Sequence, residues 1–176
     1  MSVQLRMQFV PWQDISDWHC TACGYCCKLY KVVLGLSEWL RISNTFGFDT
    51  TETDLDHFYI NRQSNGACIF LCHSKSDFSC GLQGMKPAAC KVWPFKVVMR
   101  PKFGEAKRAV FDYSGNRLYV YVDTICNGLR YGSPTWEFQH STVREFVEVA
   151  LGIRQLQSET TGPGVRSNLW GRRLFP

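Results

Sequence analysis

The sequence predicts a single small α+β domain. Three observations point there: short runs rich in β-branched and aromatic residues, few stretches with helical periodicity, and cysteines placed mainly in the loops between them. The 176 residues fit one domain, and folding at this length buries roughly 70% of the extended-chain surface. A hydrophobic fraction of 45% against 20% charged describes a globular chain rather than a disordered one. The twelve Phe and six Trp are enough to build a core without help from a metal. Residues 1–19 read as a lead-in with Trp12 and Trp18 near the first cysteines, residues 20–154 as the cysteine-bearing domain, and residues 155–176 as an extended tail.

The elements follow in order. Leu29 to Leu34 is rich in β-branched and aromatic residues and predicts a strand. Ser37 reads as the N-cap of a short helix carrying Trp39, Leu40, Ile42 and Phe46 on one side, closed by Gly47. Phe58 to Arg62 and Ala67 to Leu71 predict a strand pair across the turn Gln63 to Gly66. Lys75 to Phe95 is cysteine-bearing loop and short helix, and Lys96 to Arg100 resumes as strand. Arg108 to Tyr113 and Arg117 to Asp123 form the clearest hairpin, joined by Ser114, Gly115 and Asn116. Its second arm alternates Leu118, Val120 and Val122 with Tyr119, Tyr121 and Asp123. Ser133 and Pro134 then open a helix whose apolar positions are Phe138, Val143, Phe146, Val147, Ala150 and Leu151.

The chemistry concentrates in Cys20-Thr21-Ala22-Cys23-Gly24-Tyr25-Cys26-Cys27. Cysteines spaced by two residues can converge on one metal centre. Two such steps in succession offer three ligands from one loop, the spacing of the first three ligands in bacterial-type ferredoxin runs. The single step also serves zinc sites. Adjacent residues seldom aim both side chains at one metal atom, so Cys27 calls for a second centre, a redox pairing or burial. The start of the chain lacks a secretory signal and no apolar run reaches membrane-span length. A cytoplasmic setting is therefore expected, where clustered cysteines serve as metal ligands or redox groups rather than disulfides.

Beyond that loop the chain resembles the YkgJ-type CxxCxxCC cysteine-cluster family, whose members are described as zinc- or iron-chelating domains. The likeness runs through Leu36-Ser37-Glu38, Gly66-Ala67-Cys68-Ile69-Phe70-Leu71 and Cys80. It continues with Cys90, flanked by Lys86-Pro87 and Trp93-Pro94-Phe95, and ends at Cys126-Asn127-Gly128. Lys86 and Lys91 stand where the family usually has arginine, Gln83 where tyrosine is common, and Cys72 lies outside the pattern. The resemblance implies a ligand set of Cys20, Cys23, Cys26, Cys27, Cys68, Cys80, Cys90 and Cys126. Eight thiolates suit two four-sulfur sites, or one site and a redox-active pair. The favoured grouping is one cluster on Cys20, Cys23 and Cys26 closed by a remote cysteine, with Cys90 as candidate because Pro87 and Pro94 stiffen its segment.

Thiolates suit both iron–sulfur clusters and zinc. Three ligands from one loop favour a [4Fe–4S] centre, with zinc as the alternative. The expected function is a redox or accessory role for a larger enzyme or assembly, Fe–S oxidoreductase-like if enzymatic; the alternative is a zinc-binding interaction subunit. The Cys-x3-Cys-x2-Cys spacing of radical enzymes is absent, as are phosphate-binding, nucleophile-elbow and His-Glu-x-x-His motifs. Methyl transfer lacks local support, because Gly162-Pro163-Gly164 does not follow a strand. His19, His57, His73 and His140 read as surface or structural residues, and Asp54 and Asp56 as solvated. The formal charge of +5 counts thiols as neutral. Each four-thiolate cluster would add about two negative charges, so nucleic acid is not indicated. Arg166, Arg172 and Arg173, interleaved with Leu169, Trp170 and Phe175, make residues 163–176 the expected docking segment for a protein partner.

Overall fold

The computed structural model describes residues 8–74, 77–155 and 157. In chain order the strands are β1 (Phe9–Pro11), β2 (Ile15–Trp18), β3 (Val33–Leu34), β4 (Thr51–Thr53), β5 (Phe58–Ile60), β6 (Leu71–Ser74), β7 (Asp77–Cys80), β8 (Phe95–Val98), β9 (Val110–Tyr113), β10 (Asn116–Asp123) and β11 (Leu129–Tyr131). The α-helices are α1 (Tyr25–Leu29), α2 (Leu36–Phe46), α3 (Ala88–Val92), α4 (Ala106–Ala109) and α5 (Arg144–Ala150). A π-helical stretch, Phe138–Val143, leads into α5. The class is α+β, built on short antiparallel sheets.

β10 is the organising strand. It pairs with β8 on one edge and with β9 and β1, end to end, on the other. From Val120 to Asp123 every residue is buried, so the apolar/polar alternation does not mark a wet face. Leu118, Val120 and Val122 enter a core with Phe95, Phe146 and Val147. Tyr121 points elsewhere: its ring meets Phe103 edge-on, and its hydroxyl donates to the Gly104 carbonyl at 2.9 Å. The predicted hairpin is present, shortened at its first arm because Ala106–Ala109 coils into α4.

A second core lies between α2 and the sheet β3-β5-β4, and includes Leu34, Ile42, Ile60 and Leu82. Helix α2 begins two residues earlier than expected, at Leu36, with Gly35 rather than Ser37 as its cap. The Glu38 carboxylate accepts the Gly35 N–H at 2.9 Å. Gly47 ends it as predicted, with φ +99°. Leu40 is exposed and leaves the apolar stripe. The turn Gln63 to Gly66 forms, yet beyond it only an Arg62–Cys68 bridge joins the expected strand pair; β5 pairs with β3 and β4 instead.

Two expectations change more. The lead-in contains β1, which completes the main sheet, and β2, which pairs with β11. Runs of three and four residues draw their stability from partners more than a hundred positions away. Leu29 to Leu34 is not one strand: α1 ends at Leu29 and only Val33 and Leu34 pair. The helix expected from Ser133 is capped by Thr135, whose hydroxyl accepts the Phe138 N–H at 3.2 Å. Among the described residues, no helix is long and apolar enough to cross a membrane. The proposed docking segment 163–176 lies outside the described residues.

Asp123 closes the main sheet against the cysteine loops. Fully buried, it accepts the Tyr30 hydroxyl at 2.7 Å and the Ile125 N–H at 3.1 Å, and its carbonyl accepts the Cys126 N–H at 3.2 Å. Burial and this bond to the carboxylate push the Tyr30 hydroxyl well above the usual tyrosine range. Tyr30→Phe removes one of the two donors described for the buried Asp123 carboxylate, leaving the Ile125 backbone N–H. It is expected to cost about 1.5–3 kcal/mol and to lower the thermal midpoint by several degrees, as read by calorimetry.

Candidate metal centre

The cysteine loop is shaped by a left-handed turn. Gly24, at φ +72°, is the N-cap of α1, and its carbonyl accepts the N–H groups of Cys27 and Lys28, both at 3.0 Å. A Cβ at this position would meet the Phe78 ring at 2.9 Å. Phe78 sits on β7, donates its N–H to the Ala22 carbonyl at 3.0 Å, and carries the Lys28 ammonium over its ring at 3.6 Å. The β6–β7 hairpin is thus clamped onto the loop.

One cavity lies beneath. Cys20, Cys23, Cys26, Cys27, Cys80, Cys90 and Cys126 all line it, with Trp18, Phe78 and Trp93 among its aromatic walls and Lys86 as its cation. Cys68 is buried behind it, tied to the loop by its N–H bond to the Cys27 carbonyl at 2.8 Å. All eight sequence-predicted cysteines are therefore gathered in one region. Among the described residues, no three His, Cys, Asp or Glu side chains meet closely enough to hold one ion as they stand; the sulfurs border a space.

Within that space the Cys26 and Cys27 sulfurs are 3.8 Å apart, and Cys20, Cys23 and Cys26 line the same cavity. Adjacency does not separate the pair because α1 starts at Tyr25, and both side chains leave its first turn toward the cavity. Cys27, Cys68, Cys80 and Cys90 pack on the second core, whereas Cys20 and Cys126 pack on the first. Cys90 does face the same cavity. Its helix α3 is set by Glu38, whose carboxylate accepts the Ala88 N–H at 2.7 Å.

The thiols are electrostatically coupled. The Cys26 and Cys27 sulfurs share a hydrogen bond; it holds Cys26 down at about 7, assisted by the Lys86 ammonium, and drives Cys27 upward. Burial pushes Cys68 up to about 11, and likewise raises Cys80, Cys90 and Cys126. Lys86, only 5% exposed, opposes that rise at Cys80 and Cys90. At Cys126 the Trp18 indole N–H, 3.3 Å from the sulfur, plays that part. An all-sulfur donor set with a buried cation and N–H donors suits a soft, thiolate-bound metal group.

A family model, CxxCxxCC, described as a putative zinc- or iron-chelating domain, matches residues 19–127. The chain belongs to that family. The span that defines this CxxCxxCC member contains all nine of its cysteines. No curated protein and no solved structure matches the chain.

The remaining candidates lie elsewhere. Cys72 is half-buried on β6, its sulfur near the Phe70 carbonyl at 3.8 Å and off the cavity wall. His19 is exposed, and His73 rests against the Phe78 ring. His57 sits by Asp54, and His140 stacks on Trp136. Sequence reading missed Phe78, whose contact with Gly24 has no local signal, and the placement of Lys86, a usual basic position of the family, inside the cavity.

Gly24→Ala combines backbone strain with a collision. It is expected to cost about 1–3 kcal/mol or more and to lower bound metal per chain. Gly66→Ala, at φ +81° with open space around it, carries the strain alone. Metal analysis of both variants should show the loss in Gly24→Ala only; equal loss would mean that the Phe78 contact is not what shapes the loop.

Proposed function

We propose that the eight cysteines hold metal as thiolates, that the group is a [4Fe–4S] centre, and that the protein acts as a redox or accessory partner of a larger enzyme or assembly. The observation that supports a cluster is room. The cavity volume is about 60 Å³, several times the ~10–15 Å³ that one water occupies by the same measure. A sulfur-lined space of that size suits a multi-atom inorganic body better than a lone ion. The chain's own contribution is to deprotonate and orient the sulfurs, to balance their charge with Lys86, and to shield them behind Trp18, Phe78 and Trp93. A cluster bound there would supply one-electron transfer or a structural brace.

A specific distance favours the second reading, a zinc-binding interaction module. The 3.8 Å between the Cys26 and Cys27 sulfurs is close to the edge of a tetrahedron with metal–sulfur bonds of ~2.3 Å. Anaerobic purification separates the two. Brown protein with iron matched by acid-labile sulfide is the expected result; colourless protein with stoichiometric zinc overturns the iron–sulfur reading.

The raised thiols also give metal binding a pH dependence. Ligation requires losing protons from groups such as Cys68, whose burial holds them. Metal affinity should therefore rise with pH between about 6 and about 9 and binding should release protons. In the metal-free fold the sign reverses: the stability gained from a raised thiol is present below the ordinary value of 9.0 and is lost as pH climbs toward about 11. Chelator competition across the pH series checks the first statement, and a flat profile would rule thiol ligation out.

A further inference from the structure

We propose that the cleft between α2, α3 and the turn that ends α5 binds a small phosphate ester through Arg41, Lys86 and Lys91. The cleft is separate from the cysteine cavity except at Lys86, which lines both.

Three elements build it. Helix α2 contributes Glu38 and Arg41, three residues apart and so on one face. Helix α3 contributes Lys91 from its last turn, with Lys86 just ahead of its start. The third wall forms where α5 stops. Gly152, at φ +73°, donates its N–H to the Val149 carbonyl at 3.1 Å, and the Ile153 and Arg154 N–H groups return to the Glu148 carbonyl at 2.9 and 3.2 Å. This left-handed cap turns the chain back and brings Arg154 to the cleft. Two hydrogen bonds hold the walls together. The Glu38 carboxylate accepts the Ala88 N–H, tying α2 to α3, and the Lys91 ammonium donates to the Gln155 carbonyl at 3.2 Å, tying α3 to the turn.

The cleft has a volume of about 370 Å³, within the ~300–1,000 Å³ of small-molecule sites. Among the described residues four cations line it, Arg41, Lys86, Lys91 and Arg154, against one carboxylate, Glu38. Backbone already occupies that carboxylate: one oxygen accepts the Gly35 N–H and the other the Ala88 N–H. Arg154 is paired with Glu145 and Glu148 at 2.8 and 2.9 Å, and Arg144 shares Glu148. Arg41 and Lys91 enter no ion pair among the described residues, so their charge faces the cleft. Lys86 adds a cation that is only 5% exposed, and water screens a buried charge far less than a surface one. A phosphate dianion suits this set. Lysine acts as a point charge on any phosphate oxygen, whereas a planar carboxylate is matched best by the paired N–H groups of arginine. Two of the three binding positions, Lys86 and Lys91, are lysines where the family usually has arginine. Ala88 and Val149 give the organic body of the ester an apolar rest.

Calorimetric titration of the isolated full chain with glycerol 3-phosphate at low ionic strength tests the site. One saturable site per chain is expected, weakening as chloride is added. Arg41→Gln and Lys91→Gln should each lower the affinity about tenfold. Lys107→Gln, exposed on α4 and outside the cleft, should leave it unchanged. Thermal midpoints of the variants report whether each is folded, and the wild-type titration decides even if one is not. A titration that never saturates, or equal affinity in all four proteins, overturns the site. Tighter binding of succinate than of glycerol 3-phosphate overturns the phosphate class, and inorganic phosphate binding as tightly as the ester overturns the role of the organic body. None of these readings depends on bound metal, so their failure is distinct from failure of the iron–sulfur reading.

Discussion

The arrangement of the cavity depends on the turn at Gly24. Between Cys23 and Cys26 the chain must stop being loop and start being helix, with a ring of Phe78 pressed on the turn. A left-handed residue without a side chain meets both demands. The helical turn that follows sends Cys26 and Cys27 to the same side. The loop that precedes it leaves Cys20 packed on the core that holds Trp18 and Leu129, and Cys23 on the cavity wall. Moving that turn by one residue would rotate the following cysteines by about 100° around the helix axis, away from the cavity.

Bringing so many sulfurs together has an electrostatic cost, and the fold offsets it locally. Burial alone disfavours thiolate, as the raised Cys68, Cys80 and Cys90 thiols show. Lys86 is the cation among the cavity-lining residues and is itself nearly buried. Its charge and the thiolates' charges therefore stabilise each other. A lone buried ammonium would be costly, as would lone buried thiolates. At the other end Trp18 offers a dipole rather than a charge. The cavity wall is thus tuned by different means at different places, a full charge near Cys80 and Cys90 and an N–H bond at Cys126.

Much of this was legible in the sequence where the signal is local. The 114–116 turn and the alternation of Leu118 to Asp123 marked the hairpin, and Gly47 marked a helix end. The cysteine spacings and the flanking Lys86, Pro87, Pro94 and Phe95 marked the family. The misses share one cause, which is dependence on distant partners. β1 and β2 are too short to declare themselves and exist because β10 and β11 offer them edges. The strand expected from Leu29 loses that residue to α1 and pairs only at Val33 and Leu34, where β5 offers an edge. The cavity was hidden for the same reason: Cys-x-x-Cys-x-x-Cys states that three sulfurs are near in sequence, while Cys80, Cys90 and Cys126 reach the same wall from elsewhere in the chain.

The adjacent pair Cys26–Cys27 shows how a local rule gives way. Consecutive residues of a strand point to opposite faces, so a vicinal pair there cannot share a target. In a helix they diverge by about 100°, which still lets two short side chains flank one space. At 3.8 Å the two sulfurs are within hydrogen-bonding reach, and the bond between them lowers Cys26, with help from Lys86, while it raises Cys27. A vicinal pair in the first turn of a helix therefore favours the thiolate of one of its own members, which two cysteines held apart could not do.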